Sequence, residues 1–270
     1  MHELEGDPSR VVKQFGRSIP GAEEDFQRLV EAGHEIAKPL AGLPIAFCWP
    51  EEAIVRSGLS GYVMPKLDPR FYYDFGEERR LRTLDHAIPK RTAFSLPFTV
   101  SDADRLTLVQ LVAAFLESMH GSGVVYGDLS WGNFSFDPNS GVHLAVYDVD
   151  SSRLLGSRSF TRQAPASTAD WDDPEAPDLP VATLDADRYK FALLAYRLLV
   201  AHNFDGRIDP ARITGQISGL GPEDSRQLKA LWTRAAGPRG TRPQLAEWTR
   251  LLGRPTPAPL VTVRAAVNET

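Results

Sequence analysis

Tyr126–Asn133 reads YGDLSWGN, and Asp148 follows fifteen residues after Asn133 in Val146–Asp150, VYDVD. The reading of the chain turns on these two stretches. Short apolar runs at Val124–Tyr126, Phe134–Phe136 and Leu144–Tyr147 read as strands separated by polar loops. Asp128 then lies just after one strand and Asn133 just before the next, on a single connecting loop, while Asp148 ends the third. Three oxygen-bearing side chains can therefore converge at one edge of a small sheet. A carboxylate and an amide oxygen suit the hard cation Mg²⁺, which keeps several waters and is usually shared with substrate phosphates. The second carboxylate is left to orient a hydroxyl nucleophile or to accept its proton. Taken alone, Asp128 reads equally well as a turn residue; its companions at fixed spacing carry the chemistry.

Upstream, Ser101 reads as an N-cap with Asp104 three residues on, opening a helix that runs to His120. Leu106, Val109, Val112, Ala113 and Leu116 repeat at helical spacing, and Gly121–Gly123 ends the run. His120, at the helix end, reads as a capping or packing residue. Downstream, Ser151–Leu184 is Pro-rich (Pro165, Pro174, Pro177, Pro180) and aperiodic. A connection that long inside a compact domain is usually functional. Helices follow over Ala186–Val200, Ser225–Ala235 and Gln244–Leu252, and the residues from Gly253 read as a frayed tail.

Toward the N-terminus, Arg10–Phe15 (RVVKQF) is a short β-type run carrying Lys13, and Gly16–Gly21 is a turn-rich break. Ala22–Ala32 reads as a helix whose Phe26, Leu29 and Val30 share a face that Glu23 extends. Ala53–Arg56 and Gly61–Leu67 are further strand candidates. Asp68–Pro97 shows mixed charge and no period, and its Arg79, Arg80 and Arg82 alternate with acids, as on a solvated face. A small β-rich part with one helix thus precedes a larger, mainly helical part. The class is α+β, in two unequal lobes.

The 270 residues suffice for one large domain or two joined lobes. A net charge of −5 lacks the basic excess of a nucleic-acid binder. Cys48 is the one cysteine, so no intramolecular disulfide forms, and its neighbours (AFCWP) suggest a buried, inert thiol. MHELEGDPSR is too polar for a secretory signal. Leu106–Leu116 and Phe191–Ala201 are interrupted by Gln110 and Arg197 and fall short of a membrane span. A cytoplasmic protein with neither membrane nor nucleic-acid partner is expected.

In these features the chain resembles the protein-kinase superfamily, and in particular bacterial domains of the eukaryotic Ser/Thr type. The kinase catalytic loop has the form H-R-D-L-x-x-x-N and is followed by D-F-G. Asp128 and Asn133 have that spacing, Leu129 matches, and Asp148 stands where the metal-binding aspartate would stand. The resemblance implies a two-lobed kinase-like fold. Residues 1–68 would form a truncated β-rich N-lobe, 69–252 a mainly helical C-lobe, and 253–270 a flexible tail. It implies ATP and Mg²⁺, with Asp128 as catalytic base and with Asn133 and Asp148 as metal ligands at the nucleotide. Lys13 looks like the lysine of V-A-I-K that grips the phosphates, with Glu23 as its ion-pair partner. Met64 would stand near the gatekeeper, and Leu67 would lead into the hinge at the adenine. Pro174–Glu175 is similar to the end of A-P-E, and Arg242–Pro243 to the late arginine that pairs with it. Asp187 is similar to the aspartate that braces the catalytic loop through backbone hydrogen bonds.

The chain also departs from that pattern. Tyr126 and Gly127 replace the histidine and arginine of H-R-D, so activation through a phosphorylated loop on that arginine is not expected. Asp150 replaces the glycine of D-F-G and adds a carboxylate near the metal. No G-x-G-x-x-G precedes Lys13, and MHELEGDPSR looks like the end of the strand after such a loop, so a start placed upstream is expected. Trp131, inside the loop, reads as a hydrophobic contact for substrate or for the long segment after Asp148. Three functions stay open: a protein Ser/Thr kinase with an unidentified protein substrate, a pseudokinase serving as nucleotide-binding or interaction module, and a small-molecule kinase of the aminoglycoside or choline type. The last also uses a G-D-x-x-x-x-N loop followed by D-x-D, which Gly127–Asp128 and Asp148–Val149–Asp150 fit.

Overall fold

The chain opens on strands in a computed structural model that describes residues 1–15, 22–56, 59–88, 96–139, 141–156, 168–175, 182–203 and 206–255. The expected turn at Gly16–Gly21, Pro165, Pro177, Pro180 and most of the tail lie outside these residues. Strands β1 (His2–Leu4) and β2 (Asp7–Phe15) form an antiparallel hairpin. After helix α1 (Ala22–Ala37) and the short β3 (Ile45–Phe47), strands β4 (Glu52–Arg56) and β5 (Leu59–Pro65) complete an antiparallel sheet of order β1-β2-β5-β4.

Helix α1 buries Phe26, Leu29 and Val30, as the spacing requires, and continues past Ala32 to bury Ile36. It crosses Gly33 because that residue has no side chain. A Cβ there would lie 2.1 Å from Cδ1 of Trp49, whose Nε1 donates to the Leu29 carbonyl at 2.6 Å. Under the helix, Phe15 stacks on Phe26 (centroids 5.6 Å apart), and Tyr62 meets both rings edge-on.

The aperiodic stretch after Asp68 holds a hairpin of β6 (Tyr72–Phe75) and β7 (Glu78–Leu81). Arg80 lies over Phe75 at 4.4 Å and Arg79 over Tyr72 at 5.2 Å. Arg82 is not part of a solvated face. Its side chain is 5% exposed, pairs with Asp137 at 3.2 Å and donates to the carbonyls of Arg70, Tyr72 and Phe136. A guanidinium buried in this way needs every one of those acceptors.

Helix α2 (Asp102–Gly121) starts at the expected cap: Ser101 Oγ accepts the Asp104 amide, and Asp104 accepts the Ser101 amide at 2.8 Å. It is buried on nearly every side, adding Leu108, Leu111, Phe115 and Met119 to the expected stripe. Next come β8 (Val124–Val125), β9 (Phe134–Asp137), β10 (His143–Val146) and β11 (Arg153–Leu154). Strand β10 pairs antiparallel with β9 and parallel with β3, and β11 pairs with β8. Helices α3 (Leu184–Tyr196), α4 (Pro222–Ala235) and α5 (Leu245–Leu252) follow, α3 running on through a π-turn at Arg197–Ala201. The protein is α+β. Among the described residues no helix is long and apolar enough to cross a membrane. Cys48 is buried, and burial lifts its thiol pKa to about 11, so it stays protonated near neutrality.

Candidate functional site

Two strand pairings bring the marked residues together. In the β9–β10 hairpin Phe134 faces Val146, and the Tyr147 amide donates to the Asn133 carbonyl at 3.3 Å. Asn133 and the residue before Asp148 are therefore neighbours at the open end of one hairpin. Asp148 does not end the strand as expected; β10 stops at Val146, and Asp148 sits in the left-handed region at φ 58°. Such backbone is uncommon outside glycine, though aspartate tolerates it, and it tends to occur where a side chain must be aimed. In the second pairing Val125 faces Arg153, which lays the start of the Asp128 loop against the residues after Asp150.

Gly127 is demanded by this closeness. Its φ is +88°, and a Cβ would stand 2.8 Å from the carbonyl oxygen of Ser151. Gly127→Ala is expected to lower stability by about 1–3 kcal/mol, read as a reduced urea midpoint at unchanged slope. An unchanged midpoint would show that the two loops are not tightly packed.

The loop is fixed from below by α3. Asp187, fully buried, accepts the amides of Tyr126 (2.8 Å) and Gly127 (3.0 Å), the bracing that the sequence reading expects. His120 Nε2 lies 3.2 Å from the same carboxylate, which makes it a packing partner at the helix end. Lys190, on the next turn of α3, donates to the Gly127 carbonyl at 3.3 Å. Backbone thus held has little freedom to swing Asp128.

Asp128 is half-buried and Asn133 is 7% exposed. The Asn133 amide nitrogen donates to the Asp128 carbonyl at 2.6 Å and to its Oδ2 at 3.1 Å, which leaves the Asn133 Oδ1 as an acceptor. Thr168 Oγ1 lies 3.4 Å from the other oxygen of Asp128. Thr168 also lines, with Thr83, Asp85, Trp131, Gly132 and Trp171, a cavity of about 350 Å³ beside that carboxylate. Trp131 meets Trp171 edge-on at 4.8 Å, a contact with the long segment after Asp148.

Lys13 reaches this site from the other sheet. Its Nζ is 2.9 Å from Asp148 Oδ1 and 2.7 Å from Asp150 Oδ2. Burial pulls the ammonium pKa down, but attraction to Asp150, aided by Asp148, outweighs it and the pKa is raised. The Asp150 carboxyl is pushed above its ordinary range by burial, only partly offset by Lys13 and by the Tyr62 hydroxyl that donates to it. The expected pairing of Lys13 with Glu23 is not made: Glu23 is exposed in the first turn of α1, and the anions at Lys13 come from the loop after β10. Met64 is buried on β5 opposite Val11, and the half-buried Leu67 follows the strand. Sequence reasoning missed Tyr62 and Thr168. The register of β5 against β2, which sets Tyr62 opposite Lys13, is the signal that finds the first.

The late arginine also chooses another partner. Arg242 grips Asp173 with two bonds of 2.6 Å, while Glu175 is exposed and gives only its amide to Asp173. The acid two residues before the expected one is the buried one.

Neither the models of known protein families nor the curated proteins contain a match to this chain.

Proposed function

We propose that the chain is an ATP-dependent phosphotransferase with a two-lobed, protein-kinase-like architecture, and that its acceptor is a protein hydroxyl. The observation that carries this is the junction at the hairpin end: Asp128 tied to Asn133, Asn133 bonded through its carbonyl to Tyr147, the residue before Asp148, and Asp148 joined to Lys13. Asp128 then accepts the proton of the attacking hydroxyl. Lys13 supplies positive charge toward the phosphates. Asn133 Oδ1 and Asp148, whose second oxygen has no hydrogen bond among the described residues, suit a Mg²⁺ ion shared with those phosphates. Mg²⁺, when bound, neutralises charge on the transferring group. Among the described residues no group of three or more His, Cys, Asp or Glu side chains could hold a metal on its own. A Mg²⁺ site completed by substrate oxygens needs no such group. The cavity beside Asp128 offers the acceptor a way in.

Transfer of labelled γ-phosphoryl from Mg-ATP, to the chain itself and to a generic basic protein, tests this reading. Turnover that a chelator removes and that Lys13→Met lowers about 100-fold is expected. Mg-ATP binding without transfer favours the pseudokinase reading. The Gly127–Asp128 and Asp148–Val149–Asp150 pairs favour the small-molecule reading, and transfer to an amino-sugar panel but not to a peptide library would establish it. Absence of both Mg-ATP binding and transfer overturns the proposal.

A further inference from the structure

Lys13 and Tyr62 stand directly opposite each other in the β2–β5 register, and both side chains end on the carboxylate of Asp150. Residues opposite each other in an antiparallel pair project from the same face, so one sheet grips Asp150 at two points. The ammonium takes Oδ2 and the phenol hydroxyl donates to Oδ1. The phenol has no room to wander, because Tyr62 is fully buried with Phe15 and Phe26 against its ring at 5.8 and 6.2 Å. The two carboxylates on Lys13 are unlike: the Asp150 side chain is 13% exposed and that of Asp148 is 47% exposed. A charge-assisted bond gains strength as solvent is excluded, so the shielded partner fixes the lysine and the open one can exchange. An ammonium has three N–H donors; among the described residues two of them are engaged, leaving one for a ligand.

We infer that Asp150, braced by Tyr62, is the group that positions Lys13 for an anionic ligand, the work that the sequence resemblance gives to Glu23. Asp150 and Tyr62 are positioning residues, acting through Lys13. That the ligand is the phosphate chain of a nucleotide rests on the phosphotransferase reading; the holding of Lys13 does not.

Two measurements on the full chain separate these parts. The first needs no nucleotide: brief acetylation with a water-soluble ester, followed by mass spectrometry, reads the reactivity of Lys13 against the exposed Lys38 and Lys66. Asp150→Asn is expected to raise labelling of Lys13 about tenfold, and Tyr62→Phe severalfold, while Glu23→Gln leaves it unchanged. Unaltered labelling of Lys38 and Lys66 and a preserved circular dichroism spectrum show that the fold survives; Tyr62→Phe serves if Asp150→Asn does not fold. The second measurement is the Kd of a fluorescent ATP analogue. Asp150→Asn is expected to weaken binding about tenfold, comparably to Lys13→Met, with Asp150→Glu recovering part of the loss and Glu23→Gln within twofold of wild type. Labelling and affinity that respond to Glu23→Gln and not to Asp150→Asn overturn the inference. A wild-type chain that binds no analogue sinks the phosphotransferase reading, and the labelling still decides what holds Lys13.

Discussion

On the phosphotransferase proposal, Asp128→Asn is expected to lower the rate of γ-phosphoryl transfer by about 10²–10⁴-fold and to leave nucleotide affinity within about twofold of wild type. The asparagine keeps the size of the side chain and an oxygen for the Asn133 amide, which now bonds Oδ2 at 3.1 Å and the Asp128 carbonyl at 2.6 Å. The loop is also held independently of this side chain, by Asp187 on the amides of Tyr126 and Gly127. What the substitution removes is the capacity to take a proton. The expected signature is a fall in kcat with the Kd for the ATP analogue and the urea midpoint unchanged. Asp128→Ala is the less clean variant, because it also strips a partner from Asn133, whose Oδ1 is proposed as a Mg²⁺ ligand, so both kcat and affinity should fall. A rate for Asp128→Asn within a few-fold of wild type would remove Asp128 from the chemistry and leave the loop with a purely structural role.

The parts of the fold written in local pattern were legible. The Ser101–Asp104 capping box places the start of α2 because both halves of the box lie within one helical turn. The strands around Asp128, Asn133 and Asp148 appear to within a residue or two, since each is a short apolar run between polar turns. Strand β3 was not legible. Three residues, Ile45–Phe47, carry no period, and the partner that makes them a strand lies about a hundred residues on, at Leu144–Val146. The β6–β7 hairpin escaped for a related reason. Its arginines read as surface charge, yet Arg79 and Arg80 cover aromatic rings of the facing strand, and Arg82 is buried on Asp137.

The candidate site divides in the same way. Spacing along one loop and one hairpin finds Asp128, Asn133 and Asp148. The partner of Lys13 depends on which carboxylate the third dimension brings to it, and Glu23 and Asp150 are both acids at plausible distances along the chain. Burial decides between them: Glu23 faces water in the first turn of α1, while Asp150 is covered by the sheet that bears Lys13 and Tyr62. In Asp172–Glu175 three acids crowd four residues, and a short motif does not say which of them turns inward. Asp173 does, and it is the one Arg242 grips.

Arg242→Ala is expected to cost about 3–5 kcal/mol of folding free energy at neutral pH. The guanidinium is fully buried and Asp173 is 3% exposed; two bonds of 2.6 Å join them, and Asp185 lies 3.1 Å from the same group. Removing the arginine leaves the buried Asp173 carboxylate with only the longer contact to Arg239, at 3.8 Å, and without its two close hydrogen bonds, which costs more than the pair itself contributes. Arg242→Lys keeps the charge but not the fork, so its loss should be smaller. Asp173→Asn combined with Arg242→Met should recover part of the loss of Arg242→Ala, because no lone charge remains buried. The pH dependence has a definite sign. Burial raises the Asp173 pKa, but the Arg242 hydrogen bonds, with the Glu175 amide, outweigh it, so the folded-state pKa lies below the ordinary aspartate value. The pair's contribution is therefore fully present above about pH 4 and is lost as pH falls through the lower folded value. The gap between wild type and Arg242→Ala should narrow over that window in urea titrations at pH 7, 4 and 3. Because Asp173 anchors the stretch that carries Thr168 beside Asp128 and Trp171 against Trp131, phosphoryl transfer should fall along with stability. A neutral-pH loss below about 1 kcal/mol, or a gap that widens in acid, would mean that Arg242 does not hold this segment.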